Sequence, residues 1–184
     1  LQHSVMLAWA DYEATGDSRS LARHYDQLRT EKILFKFERS DGLLNTEGQK
    51  DIVDWPADER DNFNFRPINT VVNAFHCHTL NLMSRIATTL GHTIGAADFE
   101  ATATRATESF NRVCFNPETG LYRDGEDSAH ESFHASLFPL ALGLVPDEVK
   151  EGVVEYLKSR GMACSVYAAQ YLLDGLFSSG AADH

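Results

Sequence analysis

The chain has 184 residues, a length suited to one domain, with 43% hydrophobic and 23% charged residues, an ordinary globular composition. Its formal net charge of -11 disfavours nucleic-acid phosphates and anionic membrane surfaces and leaves neutral or cationic ligands, sugars and peptides among them. No run of about eighteen apolar residues occurs, so no membrane-spanning helix is predicted. Cys77, Cys114 and Cys164 are far apart and form no CxxC, so they read as small core residues, with a single bridge left open. At the N-terminus, LQHSVMLAWADYEATGD has no initiator Met and no basic, apolar leader. It starts inside an amphipathic pattern in which Val5, Ala8, Trp9 and Tyr12 share a face, and the C-terminal SSGAADH stops without a terminal element. Both ends read as cut, so the chain is expected to be a piece of something longer.

Helical periodicity recurs along the chain. The first predicted helix covers residues 4–15 and is ended by Gly16; the second begins near Ser18 and carries Leu21, Tyr25, Leu28 and Phe35, until SDGLL breaks it. A third starts at Pro67, a residue suited to a first helical turn, and its face is Ile68, Val71, Val72, Phe75, Leu82, Met83, Ile86 and Leu90. The fourth has Phe99, Ala103, Ala106, Phe110 and Val113 and stops at NPETG. The one strand feature the pattern allows is a short hairpin at GLYRDG. A fifth, FHASLFPLALGL, should be kinked or interrupted by Pro139. The sixth runs through VPDEVKEGVVEYLKSRG with Asp147 as N-cap, and the seventh covers residues 163–177, apolar nearly all round. The second, fourth and sixth helices are charged on one side, whereas the third, fifth and seventh carry mostly uncharged polar residues. This alternation predicts an all-α fold in which an outer ring of helices wraps an inner one.

Residues 39–66 form a predicted loop too long to be a mere connection and too aromatic to be merely disordered. Within it, Asp54, Asp58, Glu59 and Asp61 crowd beside Trp55, Phe63 and Phe65. A carbohydrate site uses that mixture: one face of a sugar stacks on an aromatic ring, carboxylates hold its hydroxyls, and carboxyl groups carry the proton transfers of glycosidic cleavage. A solvated acidic loop pinned by its rings is the plainer alternative. HESFH, residues 130–134, fits the zinc-protease pattern H-E-x-x-H, with Glu151 or Glu155 as conceivable third ligands. DGEDSA before it and Pro139 after it disfavour the long helix that pattern needs; the alternative is a helix N-terminus whose polar side chains cap backbone donors. Cys164 near a helix start is a candidate activated thiol, with burial as the competing reading. His76 and His78, two apart, face different ways on a helix and form no metal pair.

Three blocks, VDWP…ERD…F…NTVVNAF, HESFHASLFPLALGLVP and KSRGMACSVYAAQYLLDGLF, resemble the catalytic domain of bacterial α-L-rhamnosidases of glycoside hydrolase family 78, and YEATGD followed by DGLL fits too. The resemblance runs in order over nearly the whole chain. It implies an (α/α)6 barrel of six helical hairpins, with the active site where loops enter the inner helices. It also implies an inverting hydrolase of terminal α-L-rhamnosides, its acid and base about 6.5–9.5 Å apart. With about seven helices visible rather than twelve, the chain is expected to be a partial barrel whose upstream and downstream parts lie elsewhere. Its main partners would be a rhamnose-containing glycan or glycoside and the remainder of its own domain, and the fragment alone is expected to be inactive. Asp54-Trp55-Pro56-Ala57-Asp58-Glu59 superficially imitates the family's acid-bearing Asp-x-Pro-x-Arg-Glu segment, but Asp58 stands where that segment has Arg, and its place in the chain better fits a later aspartate-tryptophan motif. The resemblance therefore assigns Asp54 and Trp55 to sugar binding, with Asp58, His130 and His134 at the same mouth; Glu59 is a secondary candidate for proton transfer, the main acid and base lying outside the chain. No cofactor and no metal are implied, and a periplasmic or extracellular location is. The rival readings are a zinc peptidase built on HESFH and a non-catalytic helical binding module.

Overall fold

The computed structural model describes residues 2–181. Its α-helices are α1 (His3–Thr15), α2 (Arg19–Gln27), α3 (Thr70–Thr89), α4 (Thr93–Cys114), α5 (Phe133–Ala141), α6 (Asp147–Arg160) and α7 (Val166–Ser178). They pack in two rows. One row runs α1, α3, α5, α7, each helix touching the next, while α2 lies against α1, α4 against α3 and α6 against α5. This is the alternation expected from the charge pattern, and the fold is a partial ring of helical hairpins.

The burial of each helix follows from its place. Every residue of α5 except Ala141 is buried, and α3 buries polar Asn73, His76 and Thr79 together with its apolar face. Asn73 is consumed internally: its Oδ1 accepts from the Leu44 amide at 2.7 Å and its Nδ2 donates to the Leu44 carbonyl at 3.1 Å, tying the incoming loop to α3. Tyr122, Phe110 and Phe133 are the largest fully buried side chains, with Phe110 stacked on Tyr122. In contrast, α7 buries only Ala168, Leu172 and Gly175 and leaves Val166, Leu173 and Phe177 more than half exposed along one side, as Leu7 is on α1. The two ends of the inner row thus carry uncovered apolar side chains.

Four local expectations need correction. The second helix does not continue to Phe35: α2 ends at Gln27, a π-helical turn follows over Leu28–Lys32, and Leu34 adopts a left-handed backbone (φ 64) before a 3-10 turn at Phe35–Phe37. Pro67 is not in the first turn of α3; Asn69 caps the helix, its side chain accepting from the Val72 amide at 3.2 Å. The hairpin pairs β1 (Phe115–Asn116) with β2 (Leu121–Tyr122), so only its second strand falls in GLYRDG, and NPETG supplies the turn. Asp147 is the first residue of α6 rather than its cap. Pro139, expected to kink or interrupt the fifth helix, lies inside α5, which ends two residues later.

Gly125 marks the closest backbone approach near the site. A Cβ built there would lie 2.2 Å from the Ile68 carbonyl oxygen and 2.9 Å from the Arg66 Cβ. The neighbouring Glu126 amide donates to that same Ile68 carbonyl at 3.0 Å, so the strand-like contact leaves no room to yield. Gly125→Ala is expected to lower stability by about 1–3 kcal/mol, the range for overpacking; urea unfolding of the two proteins measures it.

Candidate active site

The acidic loop enters the inner row beneath α5 and α7, and its carboxylates have specific destinations. Asp54 is buried, with both oxygens occupied. Its Oδ1 accepts from the Trp55 amide at 2.8 Å and from the Ser165 hydroxyl; its Oδ2 accepts from the Ser165 amide at 2.9 Å and from His134 Nε2 at 2.9 Å. Asp61, held at φ 51, accepts from the Phe133 amide at 2.7 Å and from Arg160 at 2.8 Å. Asp124, buried on the segment before α5, accepts from the amides of Ser132 (3.0 Å) and Asn64 (2.7 Å) and contacts His130 Nδ1 at 2.7 Å. Three carboxylates therefore receive amides at the entrances of α5 and α7, where helix ends leave donors unsatisfied and the helix dipole favours negative charge. Ser132 and Ser165 complete these ends as side-chain caps.

The electrostatics follow. For Asp54, burial raises the carboxyl pKa, but the Ser165 hydroxyl and amide, His134 and the Trp55 amide outweigh it and hold it below the usual carboxylate value. Asp61 is likewise lowered: burial raises it, and Arg160 and the Phe133 amide more than offset that. A carboxylate can only accept, so His134 Nε2 carries the proton donated to Asp54. Cys164 is not an activated thiol. Burial, then the charges of Asp54 and Glu59, push it up to about 11, and burial pushes Cys77 and Cys114 up to about 12. All three cysteines are free and buried.

The rings of the loop divide. Phe63 is buried, whereas Trp55 is 59% exposed beside a cis Trp55–Pro56 bond. Trp55 stands at an open cavity of about 610 Å³ between its loop and the inner row, with Phe75 on α3, Phe138 on α5 and Tyr167 and Tyr171 on α7 as further aromatic lining. Of the residues expected from sequence, the structure brings Trp55 and Asp54 to this cavity, Asp54 with its acceptors already engaged. His134 reaches the site only through Asp54; His130, Asp58 and Glu59 do not line the cavity. Asp58 and Glu59 are exposed on a 3-10 turn, Ala57–Glu59. The Asp54 carboxylate, expected to grip sugar hydroxyls, has its lone pairs engaged by protein donors.

The zinc reading of HESFH is corrected as well. His130 and Glu131 precede α5 instead of lying on it, so the two histidines share no helical face. Each imidazole turns to a different aspartate, and among the described residues no group of three or more His, Cys, Asp or Glu side chains is placed to hold a metal ion.

Residues 2–184 match the model of the bacterial alpha-L-rhamnosidase 6 hairpin glycosidase domain. The chain belongs to that family. Solved structures agree on the fold. A GH78 family rhamnosidase of Bacillus sp. GL1 superposes with a TM-score of 0.83 at 22% identity, over 96% of this chain and 19% of that one. An α-L-rhamnosidase from Dictyoglumus thermophilum gives 0.77 at 21% identity, over 99% and 21%. The Streptomyces avermitilis α-L-rhamnosidase complexed with L-rhamnose gives 0.75 at 21% identity, over 97% and 16%. The chain thus spans about a fifth of the length of these relatives. A search of curated protein sequences found no match.

The candidate site of this rhamnosidase-family domain also includes residues that sequence reasoning does not single out. Ser165 could have been found as a cap, since CSVY places a serine just before an apolar helical run. Tyr167 and Tyr171, four apart on α7, give no separate signal in a helical run that is apolar nearly all round. Asp124 gave no signal, because an aspartate beside glycine reads as a turn residue. No described helix is long and apolar enough to cross a membrane.

Proposed function

We propose that this chain forms the sugar-facing part of an inverting α-L-rhamnosidase domain and contributes an aromatic wall to the subsite for a terminal L-rhamnosyl residue. The observation that carries the reading is the exposed Trp55 indole at a cavity that Tyr167 and Tyr171 also line. The cavity is mostly apolar, which suits a deoxy sugar whose C5 substituent is a methyl group rather than a hydroxymethyl group; an aromatic face stacks on the C–H face of the ring. In an inverting reaction, one carboxylic acid protonates the departing oxygen while a carboxylate on the opposite side of the ring activates water. Asp54 is saturated and Glu59 lies off the cavity, so in this reading both groups come from other segments of the domain. The uncovered apolar edges of α1 and α7 support the same view, as surfaces for the further hairpins of the ring.

The test is hydrolysis of an aryl α-L-rhamnoside by the enzyme containing this segment, followed by proton NMR. The expected first product is β-L-rhamnose; α-L-rhamnose as the first product would contradict inversion, and no release of rhamnose would remove the substrate assignment. Trp55→Ala should weaken L-rhamnose binding by about 1–3 kcal/mol, as the loss of a stacked aromatic wall implies, measured by calorimetry. Unchanged heat would remove the proposed wall.

A further inference from the structure

We infer that His134, Asp54 and Ser165 act together as a positioning latch for the Trp55 indole, an inference that rests on reading Trp55 as the sugar wall. Among the described residues, no ring or cation is stacked on the exposed Trp55 side chain, and the hydrogen bond that places the residue is made by its backbone. That backbone is held on its N-terminal side. The Trp55 amide donates to Asp54 Oδ1 at 2.8 Å, and the Asp54 carbonyl accepts from Arg60 Nε at 2.6 Å. The Asp54 carboxylate is in turn clamped by two different helices: His134 in the first turn of α5, at 2.9 Å, and Ser165 at the cap of α7, with its amide at 2.9 Å and its hydroxyl closer still.

The same two helices supply the facing walls. Phe138 follows His134 by one turn, and Tyr167 follows Ser165 by two residues; both line the cavity at which Trp55 stands. The latch therefore fixes the gap between the indole and the rings opposite it. A buried, acceptor-only carboxylate suits this work, because every donor around it is oriented inward and none can be shared with a hydroxyl of the ligand. Asp54 and His134 are positioning residues here, acting on the sugar through Trp55.

Anisotropy is read on this chain with Trp9→Phe, which leaves Trp55 as its single tryptophan, and L-rhamnose affinity on the enzyme containing this segment. His134→Leu removes the donor, whereas His134→Gln offers an amide N–H at a similar reach. The expected result is that H134L lowers the fluorescence anisotropy of Trp55 and weakens L-rhamnose binding about tenfold, the scale at which sub-ångström misplacement acts, while H134Q keeps both near the parent. Should H134L fail to fold, Ser165→Ala with Ser165→Thr as its conservative partner asks the same question from α7. A lowered melting temperature with unchanged anisotropy and affinity in H134L, or in S165A, overturns the latch. If the parent binds no L-rhamnose but the anisotropy responds as expected, the sugar reading fails and the latch stands.

Discussion

Asp54→Ala is expected to cost about 3–5 kcal/mol of folding stability, the range seen when one member of a buried, hydrogen-bonded charged group is removed. The loss is large because it strands several donors at once: the Ser165 amide and hydroxyl, His134 Nε2 and the Trp55 amide. The carboxylate is essentially out of solvent, so water does not readily replace it. Ser165→Ala should cost only about 1 kcal/mol, the usual value of a cap, because the Ser165 amide bond to Asp54 survives. The effect has a pH signature. The folded pKa of Asp54 is depressed, so its contribution is fully present above the ordinary carboxylate value of 3.8 and is lost as pH falls through the lower folded value. Urea unfolding of wild type and D54A at neutral pH, repeated in acid, should show a gap that narrows only below that value. A neutral-pH difference under 1 kcal/mol would mean that water substitutes for the carboxylate.

The second large effect comes from a residue outside the site. His76 is fully buried on α3, with neither ring nitrogen in a hydrogen bond among the described residues. Burial holds its pKa down to about 4, and the nearby backbone of Gly42 and Ile33 offsets this only in part. The ordinary value is 6.5. Between those two values the unfolded chain binds more protons than the folded one, so stability is complete above the upper value and falls as pH drops towards the lower. From pH 7 to pH 5 the loss from this one group is about 2 kcal/mol. His78, also lowered by burial, acts with the same sign. His76→Leu, close in volume and unable to titrate, should flatten the profile by that amount; equal slopes for the two proteins would show that His76 finds a protonated-state partner.

The fold was legible because its main determinant is periodic. Charged faces on the second, fourth and sixth helices against uncharged ones on the third, fifth and seventh follow from which helices meet solvent, and the packing of α1, α3, α5 and α7 in one row bears that out. The end of α2 was not legible: Leu28 and Phe35 keep an apolar spacing, but the chain passes through a π turn and a left-handed Leu34, which periodicity does not encode. At the candidate site, Trp55 stood out from its loop. The roles of the acids did not, since a carboxylate that binds a ligand and one that caps a helix look alike in sequence. Only tertiary contacts separate the two cases, and here they join residues 60 apart in sequence for Asn64 and Asp124 and 111 apart for Asp54 and Ser165. HESFH, a rival reading already disfavoured by its flanks, is ambiguous for a related reason. Its two histidines hold two different aspartates from either side of a helix start, a relation invisible in a five-residue pattern.

The central claim is that rings meet the sugar while the loop's acids hold the protein around them. A crystal structure of the enzyme containing this segment with L-rhamnose bound tests it most directly. The expected result is a rhamnose ring in van der Waals contact with the Trp55 indole, inside the cavity bordered by Tyr167 and Tyr171, with Asp54 still bonded to His134 and Ser165. Rhamnose hydroxyls on the Asp54 carboxylate with the Ser165 and His134 contacts broken, or a sugar bound away from Trp55, would contradict it.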